Sequence, residues 1–386
     1  MNRFLATVAA GAIAASGASA GGLDRSGQPI GIIFEEGNYA ELRFSATSGE
    51  VTGTGVGIGA LPPGTPYGNV AGSFTNAGGG LKYDFSDKFS FSLLWDQPFG
   101  SDVTYPGAPG TSELGGTSAI ADATSITAIG RYKFSDRFSV HAGIRHQTVV
   151  GDITLSGLAY GGLSGYNVAL AHDSALGYVI GGAFEIPEYA LRVALTYNSE
   201  ITHDMASTET IGGFPIAPIT DTEVKSPASI NLDFQTGLNP KTLLFGSVRY
   251  AKWSDLIISP TAFDDLATDG VLNGVGSGVS ISDLEDTFEY ELGIGRRLND
   301  NWSVSGIIGY EPEGTDDLVS PLAPTNGNFS LTLGLQYKDE NVVVSGGVRH
   351  TWLGDARPET GTPDVARASF TDNTAFSAGF KIGFYF

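Results

Sequence analysis

Arg43, Arg145, Arg249 and Arg349 stand at polar positions of segments whose alternate residues are apolar. A planar guanidinium can hold a carboxylate through two parallel hydrogen bonds, so these four are candidates for gripping an anionic head group. They belong to a wider polar-face set that includes Glu41, Asp96, Asp233, Glu289 and Lys381. If that set shares one enclosed space, a stiffening network of ion pairs is the competing reading. Other chemistry-bearing residues lack a productive pattern. The five histidines (141, 146, 172, 203 and 350) have no metal-ligand spacing. Cysteine is absent, which removes disulfides, thiolate metal sites and cysteine nucleophiles. No Gly-x-Ser-x-Gly elbow occurs. The run Gly55-Val56-Gly57-Ile58-Gly59-Ala60 outlines a dinucleotide loop, but no helical pattern follows it. No catalytic, cofactor or metal site is expected, and the chain does not read as an enzyme.

A second set of residues is apolar where water-facing residues are expected. Leu155, Leu158, Tyr160, Leu163, Tyr166 and Leu170 crowd one long connection, placed at 151–173. Ile211, Phe214, Ile216 and Ile219 crowd another, placed at 202–226. Such loops either pack on each other as a cap or form a groove where a hydrophobic molecule first lands, and a groove needs packed walls in either case. The connection at 255–285 is acidic, with Asp264, Asp265 and Asp269, but its spacing matches no calcium loop and it reads as solvated.

The elements that must position these residues are strands. At 374–386, Phe376, Ala378, Phe380, Ile382, Phe384 and Phe386 alternate with Ser377, Gly379, Lys381, Gly383 and Tyr385. The same period of two recurs at Phe89 to Trp95, Phe138 to Ile144, Tyr189 to Tyr197 and Val342 to Val348. Very short turns at Ser86-Asp87, Ser135-Asp136, Pro187-Glu188, Asn239-Pro240, Asn299-Asp300 and Asp339-Glu340 alternate with long connections rich in Gly, Pro and Asp. The spacing predicts about fourteen antiparallel strands, with tight turns at one end and long loops at the other. A soluble propeller would repeat a motif every four strands, and none is present. The reading is all-β: a transmembrane antiparallel barrel with an apolar face toward lipid, aromatics at its short-turn rim and an irregular N-terminal segment.

Composition agrees. The chain has 386 residues with 54 Gly, 22 Phe and 15 Tyr, but only 16% charged residues. A net charge of −21 argues against nucleic acid as a partner. Residues 1–20 read as a secretory signal: basic Arg3, an apolar run, then Ala18-Ser19-Ala20 as a cleavage site. No later apolar run approaches the roughly 20 residues of a membrane-crossing helix, so a membrane location requires a closed barrel. Residues 21–36 have no sustained period and 37–386 carry the barrel pattern.

Taken in order, Gly22-Leu23-Asp24-Arg25-Ser26-Gly27, Ala190-Leu191-Arg192-Val193-Ala194-Leu195-Thr196-Tyr197, Pro227-Ala228-Ser229-Ile230-Asn231-Leu232-Asp233-Phe234 and the run from Leu244 to Asp255 resemble the FadL/TodX-like outer-membrane transporters of long-chain fatty acids and other hydrophobic compounds. The resemblance implies a fourteen-stranded barrel in the bacterial outer membrane. It implies that 21–36 is a plug, with Leu23, Asp24, Arg25, Ile32, Ile33 and Phe34 inside the lumen. It also implies passive uptake, most of all of long-chain fatty acids, by way of an extracellular groove, a lumenal site and sideways release into the membrane. Gly37-Asn38-Tyr39-Ala40 stands where relatives carry an Asn-Pro-Ala element. Expected partners are a fatty acid or aromatic hydrocarbon, outer-membrane lipid and lipopolysaccharide, and the barrel-assembly machinery through Phe386. A general or anion-selective diffusion porin is the alternative, and Gly78-Gly79-Gly80 is a candidate weak point of the wall.

Overall fold

The computed structural model describes residues 23–361 and 363–386; the expected secretory signal at 1–20 and the first two residues of the expected plug lie outside the described residues. Fourteen antiparallel strands close into a barrel. They are β1 (Tyr39–Glu50), β2 (Ser73–Asp84), β3 (Phe89–Asp96, resumed at Gly100–Thr104), β4 (Ser118–Lys133), β5 (Phe138–Leu155), β6 (Tyr166–Ile186) and β7 (Leu191–Asn198, resumed at Ile201–Ile211). Then come β8 (Thr220–Ser226, resumed at Ser229–Asn239), β9 (Thr242–Ala251), β10 (Thr287–Arg297), β11 (Trp302–Glu311), β12 (Asn328–Asp339), β13 (Val342–Leu353) and β14 (Thr374–Tyr385). Each pairs with its sequence neighbour, and β14 closes the barrel on β1 in the register Tyr39 to Tyr385, Phe44 to Phe380 and Glu50 to Thr374.

Burial runs opposite to that of a water-soluble sheet. On β14, Phe376, Phe380 and Phe384 are 50, 52 and 44% exposed, whereas Ser377 and Lys381 are 1 and 9% exposed. Apolar side chains face outward and polar ones inward, the inversion that a lipid solvent demands. Rings pair across strands on that outer face, as at Phe44 and Phe380, whose centres are 5.4 Å apart.

The tight turns form as their sequence dictates. Oxygens of Ser86, Ser135, Asn239 and Asn299 accept backbone N–H groups two or three residues on, the local bond these residues favour in turns. Exposed Phe85, Phe134 and Tyr189 mark the same rim.

Two expected loops are largely strand. β5 runs to Leu155 and β6 starts at Tyr166, while β7 and β8 continue through most of 202–226. The sequence pattern changes sense there. In the lower part of β7 the outward residue Leu195 is apolar and exposed; in the upper part Thr202, Asp204 and Thr208 are exposed while Ile201 and Met205 are buried. The ladder continues past the lipid-facing band, but its greasy side turns inward because its outer surroundings are now water. Above that band, the long β9–β10 connection contains α1 (Thr261–Thr268).

Candidate functional site

The upper strands line a half-open apolar cavity of about 110 Å³. Its wall comes from Phe99 in the interruption of β3, Ser101 where β3 resumes, Ala119 on β4, Val149 and Ile153 on β5 and Leu170 on β6. Met205 and Val224 continue it on β7 and β8. The cover comes from the β9–β10 connection through Trp253, Leu256, Ile258 and Leu284, and from Leu322. Leu23 reaches it from below.

The cover is built around two acidic residues. Buried Glu209, at the top of β7, accepts the N–H groups of Ala262 and Phe263 at 3.0 and 2.8 Å, and the Tyr166 hydroxyl at 2.7 Å. A carboxylate at the open N–H groups of a helix start is the favourable sign for the helix dipole. It seats α1 so that Phe263 meets the Tyr166 ring at 5.4 Å. Asp264 then organises the following turn by accepting from Ser277, Gly278 and Val279 N–H. Burial alone would raise its carboxyl, but those backbone donors hold it below the usual carboxylate value. A second buried group joins the other loops. Tyr67 donates to Glu113 at 3.0 Å and accepts from Leu114 N–H at 2.9 Å. Burial, with the Glu113 carboxylate adding to it, pushes the Tyr67 hydroxyl up to about 12.

The N-terminal segment crosses the lumen beneath the cavity. Asp24 and Arg249 form a buried pair, with Oδ2 at 2.7 Å from both Nε and Nη2. Arg25 pairs with Asp122 at 2.9 Å and lies over the Phe74 ring, 4.5 Å from its centre. Ser26 donates to Asp96, and Ser229 donates to Gln28 Oε1. Ile32, Ile33 and Phe34 are buried in a short 3-10 turn (Gly31–Phe34), packed against Leu94, Ile129 and Val179. The Arg131 and Arg192 guanidiniums lie 4.5 and 4.4 Å from the Phe34 ring centre. Leu23, Asp24, Arg25, Ile32, Ile33 and Phe34 thus sit among lumenal side chains.

Between β2 and β3 the regular pairing of the wall is interrupted. β2 and β3 pair up to Gly79 and Trp95. Beyond it, β3 breaks at Gln97-Pro98-Phe99, where Pro98 has no N–H to give to a neighbour. Side chains fill in: Asn76 donates to the Gln97 carbonyl at 3.1 Å, and Gln97 Oε1 accepts Ala77 N–H at 2.8 Å. The N-terminal segment closes it from inside, with Arg25 N–H on the Pro98 carbonyl and Gly100 N–H on the Leu23 carbonyl. The Gly78-Gly79-Gly80 run borders this interruption.

The expected groove residues divide. Leu170 lines the cavity. Leu155 and Tyr166 are buried in the cluster around it, and Tyr160, Leu163, Ile211 and Ile216 pack half-buried against that cluster. Leu158, Phe214 and Ile219 are exposed, the last two at 78 and 70%. None of the four expected head-group arginines lines the cavity. Arg249 is held by Asp24, Arg349 by Glu291 and Thr332, Arg145 donates to Thr127, and Arg43 lies 3.7 Å from Glu41. Sequence reasoning missed Phe99, Met205, Val224, Trp253 and Leu322. Pro98 directly after an alternating strand was the legible signal for the first. Met205 and Val224 keep their strands' period of two but lie at 202–226, where the turn-rich sequence predicts a loop.

The family model for outer membrane protein transport proteins (OMPP1/FadL/TodX) matches residues 67–378. A search of curated proteins returned no match. Among solved structures, a Pseudomonas aeruginosa FadL homologue is similar at TM-score 0.69 and 14% identity, covering 92% of each chain. The Ralstonia pickettii toluene transporter TbuX is similar at TM-score 0.60 and 14% identity, covering 96% of this chain and 92% of its own. The P. putida toluene transporter TodX is similar at TM-score 0.62 and 12% identity, covering 91 and 90%. At such identities these structures bear on the fold, and the match over most of the chain bears on the family. The chain belongs to the OMPP1/FadL/TodX family of outer-membrane transport proteins, and is an integral barrel transporter for hydrophobic compounds rather than an enzyme.

Proposed function

We propose that the chain passively takes up compact, uncharged hydrophobic compounds and releases them sideways between β2 and β3. The observation that carries this is a contiguity: Leu23 and Phe99 line the apolar cavity and also flank the one break in the β2–β3 ladder. An apolar compound gains about 25 cal/mol per Å² of surface removed from water on entering, and leaving into lipid costs no return to water. No energy source is needed.

The volume favours a single-ring compound over a long-chain fatty acid. The cavity is of the order of the roughly 150 Å³ pocket known to hold benzene. Its acidic lining residue, Asp122, is already paired with Arg25, and the lining holds no Lys, Arg or His to receive a carboxylate. Exposed Phe214 and Ile219 are the first landing surface. Residues 21–36 act as the plug that bars water, after residues 1–20 are removed during secretion. Lipopolysaccharide surrounds the upper strands, and Phe386 engages the assembly machinery.

Because the chain has no cysteine, the exit can be locked cleanly. In the double variant Asn76→Cys, Gln97→Cys, a short thiol crosslinker should stop uptake of labelled toluene into cells, and a linker cleavable by reductant should restore it. Full uptake with the link in place would refute sideways release at this point.

A further inference from the structure

The cavity lining is almost wholly apolar, and its serines at 226, 282 and 320 already have hydrogen-bond partners. Two polar side chains there have none among the described residues: the indole N–H of Trp253 and the hydroxyl of Ser101. Both are deeply buried, at 2 and 7% exposure. A buried tryptophan N–H ordinarily finds an acceptor, and it can act only as a donor. The two groups flank one residue. Trp253 meets the Phe99 ring edge-on at 5.3 Å, and Ser101 lies two positions beyond Phe99, where β3 resumes. Water is a poor occupant of so apolar a space, since it needs several polar partners.

We propose that the cavity is a binding site for a neutral hydrophobic molecule bearing one hydrogen-bond-accepting oxygen, such as an aryl ketone, a phenol or an ester. Trp253 Nε1–H donates to that oxygen and Ser101 Oγ supplies the second polar contact. The remainder of the molecule lies against Val149, Leu170, Met205 and Leu322. A site built to meet an oxygen discriminates against the analogue lacking it, because its own buried groups are then left unpaired. This inference rests on the reading of the cavity as the ligand site, and names the ligand's chemistry within it.

The test uses two compounds of nearly the same shape, acetophenone and isopropylbenzene, titrated calorimetrically into the purified protein in detergent. Each affinity is normalised to the compound's partitioning into empty micelles. Acetophenone should be favoured at least tenfold. Trp253→Phe should bring that ratio to about one, and Ser101→Ala should narrow it. Equal normalised affinities in the unaltered protein, or a ratio unmoved by both substitutions, would overturn the inference while leaving the cavity as a hydrophobe site. Binding of neither compound would overturn both readings. If Trp253→Phe does not fold, as judged by heat-dependent gel mobility, the unaltered protein and Ser101→Ala still decide.

Discussion

Arg249 shows what happens to a charged residue on the inner face of a barrel. Its guanidinium meets Asp24, Gln28, Ser229 and Asn231 at 2.7 to 3.2 Å and is buried with its partners. Taking such a charge out of water is tolerable only because nearly every donor is met, and removing one partner of a buried pair costs about 3–5 kcal/mol. Asp24 belongs to the N-terminal segment, so the pair ties that segment to β9. Asp24→Asn should therefore loosen residues 23–36, lower the urea midpoint and raise ion conductance across a planar bilayer. An unchanged current alongside a lowered midpoint would mean that the segment's other contacts suffice to keep the lumen shut.

At the scale of elements, the informative feature is the reversal of burial along β7 and its neighbours. One extended ladder serves two solvents: the lower part shows apolar residues to lipid, the upper part shows polar residues to water and turns its apolar face onto the cavity. α1 closes that upper part, and its docking depends on Glu209, which satisfies three donors at once. Leaving a buried donor unpaired costs about 1–3 kcal/mol. Glu209→Ala should unseat α1 without opening the barrel. Proteinase K should then cut within 256–284 of the folded variant but spare the parent, while both keep the same heat-dependent gel mobility. Resistance of that connection in the variant would show that its apolar contacts alone hold it.

For the whole molecule, the lumen is occupied rather than open. The N-terminal segment, the rings and guanidiniums around Phe34, and the ion pairs of Arg131 with Glu185 and Lys381 with Glu41 fill the space that a diffusion porin would leave to water. Single-channel conductance should therefore be low, and liposomes carrying the protein should not swell in small sugars. Removing residues 23–36 should raise both. A large steady conductance of the full chain would instead identify a porin.

The solvent that each face must meet was legible in the residues. A period of two with phenylalanines on one side, turn oxygens at Ser86, Ser135 and Asn299, and short turns alternating with long connections fix strand number, closure and the lipid-facing side, because they are local and repeat along the chain. The cavity was not legible in this way. Phe99, Trp253 and Leu322 are far apart in the chain and meet only because the barrel closes and its upper connections fold inward. The four arginines were readable as inward-facing, but which partner each takes is settled by cross-strand neighbours and by a segment some 200 residues away, as with Asp24 and Arg249. Alternation records which side of a strand a residue occupies; only tertiary closure brings residues from distant strands and connections together around the same cavity.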